Sequence, residues 1–201
     1  MSFGFTTGVR TDTVELNDLE VTERAGKSGI LLGKLLVDNK FNCDINPFGI
    51  LYNPFSIAKS ISLLLDEKVY GEDDLRFDKG IWYSLMHHSS FSSSDKLECL
   101  NKINFRMIKG SATLGKANWL IITWGTARVY EWKETGEVVG NCHKLPDKLF
   151  VRRLLDVDEI VSVYISLLEK IRLVNHAIRR YRSCLRLARY VMRKTAYMAI
   201  S

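Results

Sequence analysis

The sequence predicts an α/β layered fold, and three observations carry that expectation. Trp119-Leu120-Ile121-Ile122-Thr123-Trp124 reads as apolar on both faces, the pattern of a central parallel strand covered by helices on each side. Three segments repeat apolar residues at helical spacing. Strand-like runs alternate with them, and buried strands alternating with amphipathic helices pack in layers.

The elements follow in chain order. The first 20 residues are polar and read as an extended arm, and residues 29–32 (Gly-Ile-Leu-Leu) as a short buried strand, with a helix beginning over 34–37. Asn53-Pro54 starts the first clear helix: Asn accepts from the free amides at a helix start, and Pro lacks the N–H that the first turn does not need. Ile57, Ile61, Leu64 and Leu65 share its apolar face. A second helix is expected from near Ser94 to Gly110 on a stripe of Leu97, Leu100, Ile103 and Met107. Residues 127–132 and 137–139 flank Thr135-Gly136 and predict a hairpin. A third helix is expected over 156–174, with Ile160, Val161, Tyr164, Leu167, Leu168, Ile171 and Val174 inward.

The 201 residues suffice for one domain with a sizeable core, and a hydrophobic content of 46% fits a folded globular chain. No apolar run approaches the roughly 18 residues that a membrane helix needs. The N-terminus has neither the basic start nor the apolar core of a signal peptide, which predicts a cytoplasmic protein. Cys43, Cys99, Cys142 and Cys184 form no CxxC pair; zinc-site spacing is absent, and neither a metal nor a cofactor is expected. The net charge of +6 is local: residues 171–201 hold seven arginines, Lys194 and no acid, which leaves residues 1–170 at −2. The expected organisation is therefore an α/β domain over 1–174 and a basic, arginine-rich tail over 175–201.

Four blocks carry a resemblance: INPFGILYNPFSIA from Ile45, HHSSFSS from His87, LIITWGTARVYEW from Leu120 and VVGNCHKLP from Val138. In this order and spacing, over roughly residues 10–172, they resemble the bacterial GSCFA-domain family, itself similar to the SGNH-hydrolase superfamily. The resemblance implies a three-layer sandwich with a mostly parallel central sheet, SGNH/flavodoxin-like and here incomplete at its C-terminus. It also implies acyl-transfer chemistry on a small-molecule ester, of a carbohydrate or a lipid. A Ser after the first strand would attack, a later His would take its proton, and glycine amides with a polar side chain would hold the oxyanion.

Both reacting groups are missing where the resemblance places them. The Gly-Ser-Cys-Phe-Ala block should follow the first strand, yet Ile30-Leu31-Leu32 runs straight into Gly33-Lys34-Leu35-Leu36, as an internal deletion would leave it. Ser28 is the nearest substitute nucleophile, but it precedes that strand and reads equally as a solvated loop serine. A block like SPVRHxxDGLHGNQ, source of the family's histidines, should follow the third helix and is absent from the written frame. In a shifted frame, the codons allowed from Leu187 through Met192 can spell Ser-Pro-Val-Arg-His, and those around Tyr197–Ser201 can spell His-Gly-Asn-Gln. The tail beyond about residue 175 is therefore expected to be out of frame, and the chain inactive.

Candidate parts of a pocket remain. Gly49 and Gly125 occupy places where a backbone amide faces an oxyanion, though each glycine also reads as a tight turn. Thr126 offers a hydroxyl; Asn141 and His143 fall in a polar loop, with His143 a weak candidate base; His87 and His88 open the Ser-rich loop. The histidines read equally as hydrogen-bonded loop residues. The alternative is a binding module, with Arg179, Arg180, Arg182, Arg186, Arg189 and Arg193 around Tyr181 and Tyr190 gripping nucleic acid or an anionic membrane if the tail is genuine.

Overall fold

The computed structural model describes residues 2–5, 28–176, 178 and 180–184. Its strands and helices run β1 (Ser2–Phe5), α1 (Ser28–Asp38), β2 (Asn42–Cys43), α2 (Pro54–Leu65), β3 (Arg76–Asp78), β4 (Ile81–Tyr83), α3 (Lys96–Leu114), β5 (Trp119–Thr123), β6 (Arg128–Trp132), β7 (Phe150–Leu154), α4 (Val157–Val174) and β8 (Arg180–Cys184). Met1 and residues 6–20 of the expected arm, and Arg179, Arg186, Arg189, Tyr190 and Arg193 of the tail, lie outside the described residues.

The expected three-layer sandwich around a mostly parallel central sheet is corrected by the strand pairing. Among the described residues, parallel pairing is confined to one small sheet in the order β2-β1-β5-β8, whose strands are two to five residues long. The other four strands stand apart in two-stranded antiparallel sheets, β3–β4 and β6–β7. A parallel neighbour needs a crossover of a dozen or more residues. Between α2 and α3, and between β5 and α4, the chain turns back on itself instead. Nor is the edge beside β5 open, since β8 pairs with it from Trp119↔Arg180 to Thr123↔Cys184.

The strand expected over 29–32 is also corrected: it is the start of α1. Its leucines are good helix formers and continue the pattern of 34–37. Gly33 lets this helix approach the next loop, because a Cβ there would lie 2.6 Å from Ile45 Cδ1.

α2 starts as expected. Asn53 Oδ1 accepts from Ser56 N at 2.8 Å, and Ile57, Ile61 and Leu64 are buried. α3 begins after Asp95, which accepts from Glu98 N, but it runs past Gly110 to Leu114. Gly110 is a contact rather than a stop, since a Cβ there would lie 2.9 Å from Leu64 and 3.0 Å from Pro47. Leu97, expected inward, is exposed. α4 opens on a capping box between Asp156 and Glu159 and buries Ile160, Val161, Tyr164, Leu167 and Ile171, while Val174 is exposed. The turn at Thr135-Gly136 forms, but the regular partner of β6 is β7; residues 137–139 add only a bridge between Glu131 and Val138.

Leu120 and Ile122 of β5 join the main core with α2, α3 and α4, while Trp119 and Ile121 pack with Leu36 of α1. One polar chain crosses that core. Trp124 Nε1 donates to Tyr164 Oη at 2.8 Å, and Tyr164 donates to the Pro54 carbonyl at 3.0 Å. Tyr164→Phe strands both buried partners, a loss of about 1–3 kcal/mol. Urea denaturation should show that loss; unchanged stability would contradict the tie.

Candidate functional site

Three loops build the site. In the first, Phe48 is fully buried and lies face to face with the His87 ring, centroids 4.4 Å apart. Gly49 has φ +79°, and a Cβ there would stand 2.3 Å from His88 Cβ. Only glycine allows both that backbone and that approach, and His88 N then donates to the Phe48 carbonyl at 2.8 Å.

The second loop carries His87 and His88. His87 is fully buried, with Nδ1 3.1 Å from Ser84 Oγ and the rings of Tyr70 and Phe91 beside it. Its Nε2 has no hydrogen-bond partner among the described residues. Burial first, then His143, pushes its pKa down to about 3. The ring is therefore neutral. His88 Nδ1 accepts from Ser90 N at 3.2 Å and caps the short 3-10 turn 89–91.

The third loop is Asn-Cys-His-Lys. The Gly140 and Asn141 amides both donate to the Leu85 carbonyl, and a Cβ on Gly140 would lie 2.4 Å from the Met86 carbonyl oxygen. Asn141 Oδ1 accepts from His143 N at 2.9 Å. Leu145 N reaches the Cys142 carbonyl at 2.9 Å across His143 (φ +50°) and Lys144 (φ +58°), the signature of a type I′ turn. Neither central residue is glycine, so the turn stores strain of order 1–3 kcal/mol per residue. His143 Nε2–H donates to the Ser84 carbonyl at 2.9 Å. Burial lowers its pKa most, the nearby His88 adds to this, and the Ser84 and His87 carbonyls oppose it. Across from this loop, Lys79 (φ +48°) and Gly80 (φ +80°) form the two-residue turn joining β3 and β4.

These loops enclose a cleft of about 770 Å³. Tyr52, Tyr83 and Tyr130 give it aromatic surface; Asn53, Ser89, Ser92, Thr126 and Asn141 give it hydrogen-bonding groups. Lys79, Arg128 and Lys144 supply positive charge, and Asp78 is the one carboxylate in the described lining. Among the described residues no three His, Cys, Asp or Glu side chains gather as around a metal ion.

Of the residues singled out by sequence, His88, Thr126, Asn141 and His143 come together in this cleft. The amides of the two glycines are engaged elsewhere: Gly49 N donates to the Asn46 carbonyl and Gly125 N to the Tyr52 carbonyl, each at 2.8 Å. Thr126 N also donates to Tyr52 O, while its Oγ1 accepts from Arg128 N. Ser28 is the first residue of α1, and its side chain lies outside the described residues. Cys142 reaches the cleft, but burial, reinforced by Asp147, pushes its thiol up to about 11. The Ser84–His87 contact is buried, and Ser90 Oγ meets the His88 nitrogen that already accepts the Ser90 amide. Sequence reasoning missed Tyr52, Tyr83, Lys79, Arg128 and Lys144. Two signals were available: Lys-Gly between two strand-like runs marks a turn, and Arg128 directly follows Gly-Thr-Ala.

The His87 environment sets a pH dependence. Its folded pKa of about 3 lies below the ordinary 6.5, so between those values the unfolded chain binds the proton and the folded chain does not. The contribution is complete above about pH 6.5 and is lost as pH falls towards 3, at up to about 1.4 kcal/mol per unit. Urea midpoints from pH 4.5 to 8 should fall on the acid side, and His87→Gln should flatten that slope. An unchanged slope in the variant would place the effect elsewhere.

No curated protein and no solved structure matches the chain. The profile of the GSCFA family matches residues 31–180, about three quarters of the chain and all three loops of the cleft. The chain belongs to the GSCFA family.

Proposed function

We propose that this chain is a non-catalytic GSCFA-family protein: it keeps a ligand cleft of a serine-dependent hydrolase or acyltransferase and lacks the groups that would cut an ester. The observation carrying this reading is the state of the candidate oxyanion donors. The Gly49 and Gly125 amides are bonded to backbone carbonyls rather than directed at a substrate oxygen. Three further observations support it. Cys142 is held as a thiol, His143 is tethered to Ser84 O, and neither described Ser–His contact has the form of an activated nucleophile.

The same reading takes the tail over 175–201 as an out-of-frame product that replaces the family's His-bearing block, and places the protein in the cytoplasm. β8 lies inside this tail, and its parallel pairing with β5 is made by backbone groups. Among the described residues no helix is long and apolar enough to cross a membrane.

A serine-reactive fluorophosphonate probe, run beside hydrolysis of a small acetyl ester at pH 7–9, tests the reading. The expected result is no covalent adduct and no hydrolysis above a heat-denatured control. Stoichiometric labelling of one serine with ester turnover would overturn it.

A further inference from the structure

We propose that the cleft binds a small organic anion: a carboxylate or phosphate group held by Arg128, Lys144 and Lys79, on a ring-bearing body laid against Tyr52. This deepens the non-catalytic reading by naming the class of ligand.

The argument starts from uncommitted charge. Several lysines elsewhere are paired, Lys68 with Asp74, Lys96 with Glu72 and Lys102 with Glu98. In the groove between α2 and α4, Lys59 meets Glu137 and the Val138 carbonyl, and Lys170 meets Asp66 and Ser62. In the cleft, Arg128 and Lys144 have no carboxylate within 4.0 Å among the described residues, and Lys79 has only Asp78, at 3.9 Å. Three cations against one carboxylate leave a local excess of positive charge. Both lining histidines are bound at one ring nitrogen to backbone, His143 to Ser84 O and His88 to Ser90 N.

Backbone geometry points the same way. Lys144 is held in the left-handed region although it is not glycine, and Lys79 is held so in the facing turn. Strain kept at a non-glycine residue is a pointer to use. The third observation is a buried polar atom with nothing to bind: Ser92 lines the cleft, and its Oγ has no partner among the described residues. The Asn141 side chain, whose oxygen holds the His143 amide, lines the same space. An arginine fork grips two oxygens of a carboxylate or phosphate at once, and the lysines add point charges. Tyr52, 49% exposed at the cleft wall, offers a ring face to an apolar body, the usual division of labour in a small-molecule pocket.

Calorimetric titration of the full chain at low ionic strength tests this, with benzoate, phenyl phosphate and benzyl alcohol as probes and inorganic phosphate as the anion without a body. Benzoate or phenyl phosphate should bind at least tenfold more tightly than benzyl alcohol, and whichever anion is tighter identifies the headgroup. Arg128→Gln and Lys144→Gln should each weaken the tighter anion at least fivefold, while Lys59→Gln in the α2–α4 groove leaves it unchanged. Anions that bind no better than benzyl alcohol, or cleft variants that bind as the parent does, would overturn the proposal. Inorganic phosphate binding as tightly as phenyl phosphate would overturn the part assigned to Tyr52. Anion binding together with serine labelling would instead defeat the non-catalytic reading and leave this site standing.

Discussion

The cleft depends on the uncharged imidazole of His87, closed in by Phe48, Tyr70, Phe91 and Ser84. Each loop of the site is fixed to this ring or to its immediate surroundings. Phe48 stacks on it and, one residue on, Gly49 meets His88. Ser84 holds it from one side while its carbonyl accepts from His143. Leu85 and Met86, between Ser84 and His87, receive the Gly140-Asn141 backbone. A protonated ring could not keep this place, because burying a charge without a partner costs far more than the stacking returns. Neutrality of one side chain is thus a condition for the shape of the whole site.

A second constraint fixes the opposite wall. β5 ends at Thr123, and Trp124 then anchors through Tyr164 to the carbonyl of Pro54 at the head of α2. Just beyond, the Gly125 and Thr126 amides both close on Tyr52 O. The Asn53 cap, the Tyr52 wall and the Thr126-to-Arg128 rim are therefore set by one run of hydrogen bonds crossing the core. The same bonds that position this wall engage the Gly125 and Thr126 amides, so neither is left to face the cleft.

Much of this was legible in the sequence where the signal is local. Asn53-Pro54 and Asp156 with Glu159 mark helix starts because capping involves residues only three apart. The apolar run of β5 shows because it is buried on both faces. What depends on distant partners was not legible. Residues 29–32 are as apolar as a strand, and their helical state follows from continuity with α1 and from the room that Gly33 gives Ile45. Gly110 resembles a stop until Pro47 and Leu64 are found against it. The pairing of β6 with β7 bridges a long loop that contains the Asn-Cys-His-Lys part of the site. In the site itself, His88, Thr126, Asn141 and His143 were found through motifs, whereas the cations were not. Lys79, Arg128 and Lys144 come from three separate segments, and only folding brings them to one cleft.

This GSCFA-family chain carries no Gly-Ser-Cys-Phe-Ala block in its sequence. On the proposed reading, the catalytic groups are gone from the protein as translated and the cleft outlasts them. Resequencing the coding DNA over codons 25–40 and 170–201, in independent isolates, tests this most directly. The expected result is Ile-Leu-Leu codons running directly into Gly-Lys-Leu-Leu, and a displaced frame after about codon 175 that spells Ser-Pro-Val-Arg-His and His-Gly-Asn-Gln. The same arginine-rich frame under selection in every isolate would contradict the out-of-frame tail. A Gly-Ser-Cys-Phe-Ala block recovered before Gly33 would contradict the loss of the nucleophile.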